Sequence, residues 1–377
     1  MNSKMKVVLV GSFAPSLVNF RGPLLRDLVA AGHEVWGMAP EDDPEVVAQL
    51  AEMGVKYKPI PFVRVSINPM DDWKGAKALA KELAEMKADA VLCYTLKIAI
   101  WGTMAAFWAG VPRRTALITG FGTAFLTTGL KGKAFKTIAE GLLRWSMKKA
   151  TAVIVQNPDD QKALVDMGVK GSIQVVNGSG IDLSAFEEKP LPSGPTRFLM
   201  IGRILVEKGV MEYAQAAEIV KKKHPEVHFD LLGYYEERSN AITQTEIDRW
   251  KSEGILDWHG QQPDVKPYIA ACHVYVLPSY REGTPRSVLE ALAVGRPIIT
   301  TDTNGCRSTI DHGVHGLLVP VKDSAALAEA MLKMIETPGM IEKMAAVARP
   351  RALDKYEVGK VNQDMMRIMG VQTSERT

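Results

Sequence analysis

The chain has 377 residues, which is enough for about two domains. A hydrophobic content of 46% and a charged content of 24% are typical of a globular protein, and a net charge of +3 is too small to indicate a nucleic-acid partner. The three cysteines and seven histidines are scattered, which predicts neither a disulfide framework nor a metal site, and no apolar run approaches the roughly 20 residues that cross a bilayer.

Apolar runs alternate with amphipathic helical patterns along most of the chain, which indicates βαβ units and parallel sheets. The strands predicted for the first half are 6–10, 34–38, 55–60, 89–93, 115–118, 151–155 and 173–176. Residues 187–195 are rich in proline and charge, and we interpret them as a linker between domains. The strands predicted after this linker are 197–201, 227–232, 256–259, 273–277, 297–300 and 316–319.

The predicted fold class is α/β, with two tandem, doubly wound domains and a cleft between them. The predicted domains are residues 1–190 and 196–350. Helical patterns resume at 324–336 and 340–369, and the segment 351–377 is predicted to be a C-terminal helix that can pack back on the first domain. Ligands of such sheets bind beyond the carboxyl ends of the strands, so the turns at those ends are the candidate sites.

Two loops of the first domain are candidate ligand-binding loops. Residues 10–23 follow the first strand and contain Gly11, small hydroxyl residues, Asn19 and Arg21. Their pattern is not Gly-x-Gly-x-x-Gly, and no predicted strand is followed by that pattern, which argues against a nicotinamide-dependent dehydrogenase. Residues 118–129 are rich in glycine and threonine, which predicts either a polar ligand or a loop that uses glycine for its turns.

The segment 131–149 is basic and amphipathic. On a helix, one face would consist of Phe135, Ile138, Leu142 and Trp145. The opposite face would consist of Lys133, Lys136, Arg144 and Lys148. Either this helix lies on an anionic membrane surface, or it packs on the core and leaves a solvated basic face.

Two turns of the second domain carry candidate polar contacts. In residues 201–209, Arg203 and Lys208 follow a strand and project near the carboxyl edge of the sheet. An arginine and a lysine there suit a diphosphate, and a solvated basic loop is the alternative. In residues 259–264, the groups around Gln262 can bind the edge of a base, or the segment is an ordinary turn.

Residues 281–295 are the most informative segment of the chain. Thr284 is a predicted N-cap and Pro285 a predicted first helical residue. The predicted anion site consists of the N–H groups of Arg286, Ser287 and Val288. Glu290 would face the same way, and a carboxylate there is favourable only if bound hydroxyl groups donate to it. The segment thus predicts a nucleotide sugar as the ligand, or else a solvated edge of the sheet.

Three segments, residues 202–209, 277–283 and 290–299, carry a resemblance to a known family, and residues 177–182 are similar to its Asn-Gly-Val-Asp turn. Together with the two tandem domains, they resemble the glycosyltransferases of the GT-B fold, which have two Rossmann-like domains. Within that fold, the chain is most similar to the retaining group called glycosyltransferase family 4. The resemblance covers nearly the whole chain.

The resemblance implies a role for each matching residue. Arg203 and Lys208 would hold the donor diphosphate, Glu290 would bind the ribose hydroxyls, and Glu282 would contact and orient the donor sugar. Backbone amides after Gly283 would contact the distal phosphate. The candidate catalytic residues are Glu282, Arg203 and Lys208. Together with the turns above, the candidate donor-binding residues are Gly11, Arg203, Lys208, Gln262, Glu282, Gly283, Thr284, Ser287, Val288 and Glu290.

Two departures from the family pattern are informative. The usual Glu-Gly-Phe-Gly is here Glu282-Gly-Thr-Pro285, so that Pro285 removes one amide donor. Residues 15–21 replace the usual pair of glycines in the first loop. With residues 119–122, this loop is similar to a subgroup that adds sugars to undecaprenyl-diphosphate-linked saccharides, to which the bacillosaminyl-lipid N-acetylgalactosaminyltransferases belong.

The resemblance implies retaining transfer of a hexose or N-acetylhexosamine from a UDP-sugar to a saccharide acceptor, with a polyprenyl-diphosphate-linked acceptor favoured. It implies a UDP-sugar as co-substrate, no cofactor and no metal. A UDP-sugar 2-epimerase and a non-catalytic, membrane-associated binding subunit are the alternatives. The expected location is the cytoplasm, either free or bound peripherally to the inner face of the cytoplasmic membrane.

Overall fold

The computed structural model describes residues 4–63, 68–121, 129–235 and 242–372, with only the backbone described within 129–136. Residues 122–128, which include most of the glycine- and threonine-rich loop, lie outside this range. The described chain forms two compact units. The first contains residues 1–179 and 358–377, and the second contains residues 180–357.

The first unit is built on a seven-stranded parallel sheet of order β3-β2-β1-β4-β5-β6-β7. Its strands are β1 Lys6–Val10, β2 Glu34–Ala39, β3 Lys56–Pro59, β4 Ala90–Tyr94, β5 Arg113–Ile118, β6 Ala152–Val155 and β7 Ile173–Val175. Its helices are α1 Pro15–Ala30, α2 Pro44–Glu52, α3 Pro69–Met86, α4 Leu96–Trp108, α5 Gly129–Met147 and α6 Pro158–Asp166. The strand order reverses between β1 and β4, and such a switch point opens a crevice at the carboxyl ends of the two strands.

The second unit is built on a six-stranded parallel sheet of order β10-β9-β8-β11-β12-β13, which has its switch point between β8 and β11. Its strands are β8 Arg197–Ile201, β9 His228–Leu232, β10 Asp257–Trp258, β11 Val274–Leu277, β12 Ile298–Thr301 and β13 Gly316–Val319. Its helices are α7 Val210–Lys223, α8 Gln244–Ser252, α9 Lys266–Ala271, α10 Arg286–Val294, α11 Ser324–Glu336 and α12 Met340–Lys355.

The segment predicted as a linker, residues 187–195, belongs to the second unit instead. The guanidinium of Arg296 is fully buried and donates to the carbonyl oxygens of Lys189 and Pro190 over 3.0 and 2.9 Å. The prediction of a linker from the proline-rich composition was therefore wrong, because hydrogen bonds from a buried arginine fix the backbone of this segment. The first domain ends at Ser179, not at residue 190.

The helix predicted over 340–369 is two helices, α12 and α13 Val358–Met369. The break occurs at Tyr356, whose φ of −122° leaves the helical region and whose carbonyl accepts from Ile181 N–H over 2.8 Å. Helix α13 belongs to the first unit and packs against α1, where Asn362 Nδ2 donates to Asp27 Oδ2 over 2.6 Å.

Helix α5 does not bury the apolar face predicted for it. Ile138 and Trp145 are 61% and 43% exposed, whereas Leu143 and Met147 are buried in the core of the first unit. The helix therefore packs on the core through a neighbouring face, and Phe135, the fourth residue of the predicted apolar face, has no described side chain. Among the helices of the described residues, none is both long enough and apolar enough to cross a membrane.

Candidate active site

The turn between β11 and α10 carries Glu282, whose carboxylate is held by two side chains. Oε1 accepts a hydrogen bond from Ser279 Oγ over 2.8 Å and another from Lys208 Nζ. The side chains of Glu282 and Lys208 are only 14% and 21% exposed, so water screens this ion pair weakly. Two residues that the sequence placed in separate motifs are in direct contact.

Backbone groups and a hydroxyl hold this turn from both sides. On one side, Tyr280 N–H donates to the carbonyl of Glu207 over 2.9 Å. On the other, Thr303 Oγ1 donates to the carbonyl of Tyr280 over 3.0 Å, and Glu282 N–H donates to the carbonyl of Asn304 over 3.1 Å. The loops that follow β8 and β12 thus position the carboxylate-bearing loop after β11.

Two glycines permit these close approaches. A Cβ on Gly305 would lie 2.3 Å from the carbonyl oxygens of Glu282 and Gly283. A Cβ on Gly209 would lie 2.1 Å from the carbonyl oxygen of Pro278. Both glycines also have positive φ values, of 78° and 76°, which other residues rarely adopt. Neither position accepts a side chain without movement of the backbone.

Helix α10 begins one residue later than predicted. Pro285 is the N-cap, with φ −71° and ψ 111°, and Arg286 is the first helical residue, so the prediction of Thr284 as N-cap was wrong. Val288 N–H donates to the carbonyl of Pro285 over 3.1 Å and is not available to an anion. No backbone acceptor for Ser287 N–H lies among the described residues, so Ser287 is the better candidate phosphate contact.

Glu290 is buried in the second turn of α10. Its Oε1 accepts from Arg286 Nε over 3.0 Å. Burial raises the pKa of Glu290, and the neighbouring Arg286 lowers it only in part. A carboxylate that has lost most of its hydration is a strong acceptor for the hydroxyls of a bound sugar.

The other predicted residues are placed differently. Arg203 follows β8 with an exposed side chain and makes no ion pair within the described parts of the chain. Gln262 follows β10, two strands from β8, and its Nε2 donates to the carbonyl of His259 over 2.6 Å. The side-chain amide of Gln262 therefore stabilises its own turn.

Gly11 lies in the first unit, directly after β1. Its N–H donates to the carbonyl of Met38 over 2.9 Å. A Cβ on Gly11 would lie 2.4 Å from Tyr94 Oη, so packing alone requires a glycine here. Its donor-binding role stays a prediction.

Sequence analysis assigned no role to Ser279 or to residues 303–305, which position Glu282. Ser279 precedes Glu282 by three residues, and a hydroxyl at that spacing is a known local hydrogen-bonding pattern. Residues 303–305 carry no such signal, because they are distant in sequence and act through the Thr303 hydroxyl, the Asn304 carbonyl and the missing side chain of Gly305. Across the described ranges, no three or more Asp, Glu, His or Cys side chains are grouped closely enough to hold a metal ion.

Comparison with known proteins defines the class. Residues 24–185 match the model of Glycosyltransferase Family 4, and residues 195–337 match that of Glycosyl transferases group 1. The fold is shared with the Anabaena protein HepE in complex with UDP and glucose, with a TM-score of 0.77, 18% identity and coverage of 98% of this chain and 100% of that one. Sucrose-phosphate synthase from Thermosynechococcus elongatus has a TM-score of 0.79 at 18% identity, over 97% of this chain and 98% of that one.

With both sheets and both family models in agreement, the chain belongs to the GT-B glycosyltransferases. It is 28% identical to the N,N'-diacetylbacillosaminyl-diphospho-undecaprenol alpha-1,3-N-acetylgalactosaminyltransferase of Campylobacter jejuni, over 97% of this chain and 98% of that protein. It is also 28% identical to the UDP-Gal:alpha-D-GlcNAc-diphosphoundecaprenol alpha-1,3-galactosyltransferase of Escherichia coli, over 80% of each. The predicted fold class and the predicted enzyme class are thereby confirmed.

Proposed function

We propose that this glycosyltransferase moves a hexose or N-acetylhexosamine from a UDP-sugar to a polyprenyl-diphosphate-linked saccharide, with retention of the anomeric configuration. The observation that carries the donor half of the proposal is the Ser279–Glu282–Lys208 cluster. Both of its hydrogen bonds go to Oε1 of Glu282. The second oxygen, Oε2, is left for a hydroxyl of the donor sugar, and Lys208 lies next to the place of the leaving diphosphate.

The proposed chemistry is electrostatic. As the anomeric bond breaks, negative charge develops on the leaving diphosphate, and Lys208, Arg203 and the first turn of α10 would stabilise it without a metal ion. Glu282 would orient the donor sugar. The names of the Campylobacter and Escherichia relatives, both of which act on undecaprenol-linked diphosphates, support the lipid-linked acceptor.

The proposal is tested by incubating the protein with UDP-sugars and undecaprenyl-diphosphate-linked or soluble saccharides, while UDP release and the product are measured. We expect UDP release that depends on the lipid-linked acceptor, and an α-linked product from an α-linked donor by NMR. Formation of an epimer from UDP-GlcNAc alone would identify a 2-epimerase instead. The absence of turnover with every donor would favour a binding subunit.

Replacing Glu290 by glutamine should weaken UDP binding about 10- to 100-fold at neutral pH, because hydrogen bonds to a charged acceptor contribute more than those to a neutral one. The substitution should not destabilise the protein at that pH. A carboxyl whose pKa is raised by folding stabilises the folded state below its ordinary pKa, and this contribution is lost as the pH rises through the raised value.

Calorimetric titration with UDP and thermal unfolding at several pH values measure both effects. In the wild type, UDP affinity should fall when the pH is lowered through the raised pKa of Glu290, a dependence that the glutamine variant should lack. Glu329, which is exposed on α11, provides the matched control, since Glu329→Gln should bind UDP normally. Equal UDP affinity in both variants would contradict the ribose role of Glu290.

We further propose that the outward face of α5 binds an anionic membrane surface, where the lipid-linked acceptor would be found. Ile138 and Trp145 are exposed on this helix, together with the basic side chains of Arg144 and Lys148. Apolar and cationic groups side by side suit the interface of an anionic bilayer.

Replacing Ile138 by aspartate should reduce binding to phosphatidylglycerol-containing vesicles about tenfold or more, because it removes an exposed apolar group that would enter the bilayer and adds a charge of the same sign as the lipid. Vesicle co-flotation measures the bound fraction. Val165, which is 57% exposed on α6 of the same unit, gives the control Val165→Asp, for which we expect no change. Equal binding by the two variants would exclude α5 as the contact surface.

A further inference from the structure

An uncompensated cation is buried in the first unit, remote in sequence from the donor-binding motifs. Arg21, on α1, is only 2% exposed. Its Nε has no hydrogen-bond partner, and no carboxylate forms an ion pair with its guanidinium in the described parts of the chain. Buried charges in proteins are nearly always paired, because an unpaired one loses its hydration without compensation.

Arg21 lies on α1 against the last residue of a central strand. Its guanidinium carbon lies 5.2 Å from the ring centroid of Tyr94, the last residue of β4, and the Tyr94 hydroxyl lies 2.8 Å from Ser16 Oγ in the first turn of α1. Strands β1 and β4 flank the switch point of the first sheet. Arg21 is therefore held at the crevice where sheets of this type bind ligands.

Thr95, the residue after Tyr94, is strained and unsatisfied. Its φ of 70° and ψ of 150° are an outlier for a β-branched residue, and its buried Oγ1 has no hydrogen-bond partner. Among the described residues, Arg21 Nε and Thr95 Oγ1 are thus two donors without a partner, one beside the ring of Tyr94 and the other on the residue that follows Tyr94. Strain of this kind persists where the surrounding structure enforces it, and it is concentrated at ligand sites.

The carboxylate of Glu41, in the loop that follows β2, is engaged elsewhere. Glu41 Oε2 accepts from Ala14 N–H over 2.9 Å, just before α1, and forms no ion pair with Arg21. Burial lowers the pKa of Arg21 to about 10, so the guanidinium is still charged at neutral pH. The protein itself supplies no described counter-ion for that charge.

We propose that Arg21 and Thr95 form a binding site for a phosphate or diphosphate group at the switch point of the first sheet. A guanidinium offers planar, charge-assisted hydrogen bonds that match phosphate oxygens, and the threonine hydroxyl adds one donor. In the proposed reaction, the bound phosphate group is the diphosphate of either the lipid-linked acceptor or the nucleotide-sugar donor. This assignment rests on the proposed function, whereas the phosphate site itself does not.

The site itself is tested with inorganic pyrophosphate, without any transfer reaction. The titration uses the Arg203→Ala, Lys208→Ala background, which removes the two side-chain contacts with pyrophosphate that are expected in the second unit. We expect pyrophosphate to raise the unfolding temperature of this protein, and Arg21→Met to abolish the rise while leaving the ligand-free unfolding temperature unchanged or higher. A lower ligand-free temperature with the pyrophosphate effect intact would show that Arg21 is structural and overturn the proposal.

Two further variants keep the test decisive if Arg21→Met does not fold. Arg21→Lys retains the charge without the planar fork and should bind pyrophosphate about tenfold more weakly. Thr95→Gly relieves the strain and removes the hydroxyl, so it should be at least as stable as its parent and bind about 5- to 10-fold more weakly. Wild-type affinity in both variants would overturn the proposal.

Steady-state kinetics distinguish the two sources of the phosphate. If the acceptor supplies it, Arg21→Lys in the otherwise wild-type chain should raise the KM for the lipid-linked acceptor about tenfold and leave the KM for the UDP-sugar unchanged. If the donor supplies it, the KM for the UDP-sugar should rise and the KM for the acceptor should stay unchanged. Two unchanged KM values would exclude a role of Arg21 in the reaction. A wild type without transfer activity would refute the proposed function, while the pyrophosphate titration still decides the site.

Discussion

Replacing Lys208 by alanine should lower kcat about 10²- to 10³-fold, the loss that is typical when one preorganised donor to a developing negative charge is removed. The reason lies in the position of its ammonium, which is largely shielded from water beside Glu282. A cation there stabilises the leaving diphosphate more in the transition state than in the bound donor, so kcat should fall more than KM rises.

Lys208 and Glu282 are also expected to depend on each other in catalysis. Because Lys208 and Ser279 both donate to Oε1 of Glu282, the lysine and the carboxylate should act as a unit. The losses caused by Lys208→Met and Glu282→Gln should therefore not add, and the double variant should be about as slow as the worse single variant. Steady-state kinetics of the four proteins complete the cycle.

The control for these kinetics is Lys333→Ala, on the same unit in the last turn of α11. The side chain of Lys333 is exposed, and the activity of this variant should equal that of the wild type. Unchanged turnover of Lys208→Ala, or strictly additive losses in the cycle, would contradict the assigned role of the pair. Thermal unfolding of each variant shows whether a loss of activity is caused by a loss of folded protein.

The sheets could be predicted from the sequence because most of their strands are largely buried in a parallel sheet. Such strands appear as apolar runs bounded by glycine, proline and polar turns, and β11, Val274–Leu277, is wholly buried. The predicted strands agree with the observed ones to within about two residues at each end. Motif residues such as Glu282 and Lys208 were also identifiable, because their chemistry follows from residue type and position after a strand.

The features that sequence analysis missed depend on contacts between distant segments. The proline-rich composition of residues 187–195 carries no sign that Arg296 binds their carbonyl groups. The sequence left open whether the apolar face of α5 packs on the core, because Ile138 and Trp145 are as apolar as the residues that are buried. Arg21 was noticed as a polar residue of a loop, but its burial without a partner became visible only in three dimensions.

Replacing Arg296 by alanine should lower the free energy of unfolding by about 3–5 kcal/mol, among the largest effects of a single substitution. Arg296 is fully buried and donates to four backbone carbonyls, two of them in residues 189–190 and two, those of Ile269 and Ala270, at the end of α9. Without the guanidinium these buried or partly buried acceptors would lose their donor, and the space that the side chain fills would become a cavity. Arg296→Lys should recover only part of the loss, because an ammonium cannot span four acceptors in a plane.

Arg249 provides the matched control, since it forms two ion pairs, with Glu218 and Glu253, but is 47% exposed. Exposed pairs of this kind contribute about 0–1 kcal/mol each. Calorimetric unfolding should therefore show a fall of about 6–20 °C for Arg296→Ala and only a few degrees at most for Arg249→Ala. Equal shifts would mean that the carbonyls of residues 189–190 find other partners, so that this segment is a dispensable linker after all. A large shift for Arg296→Ala alone would show that the segment is an integral part of the second domain.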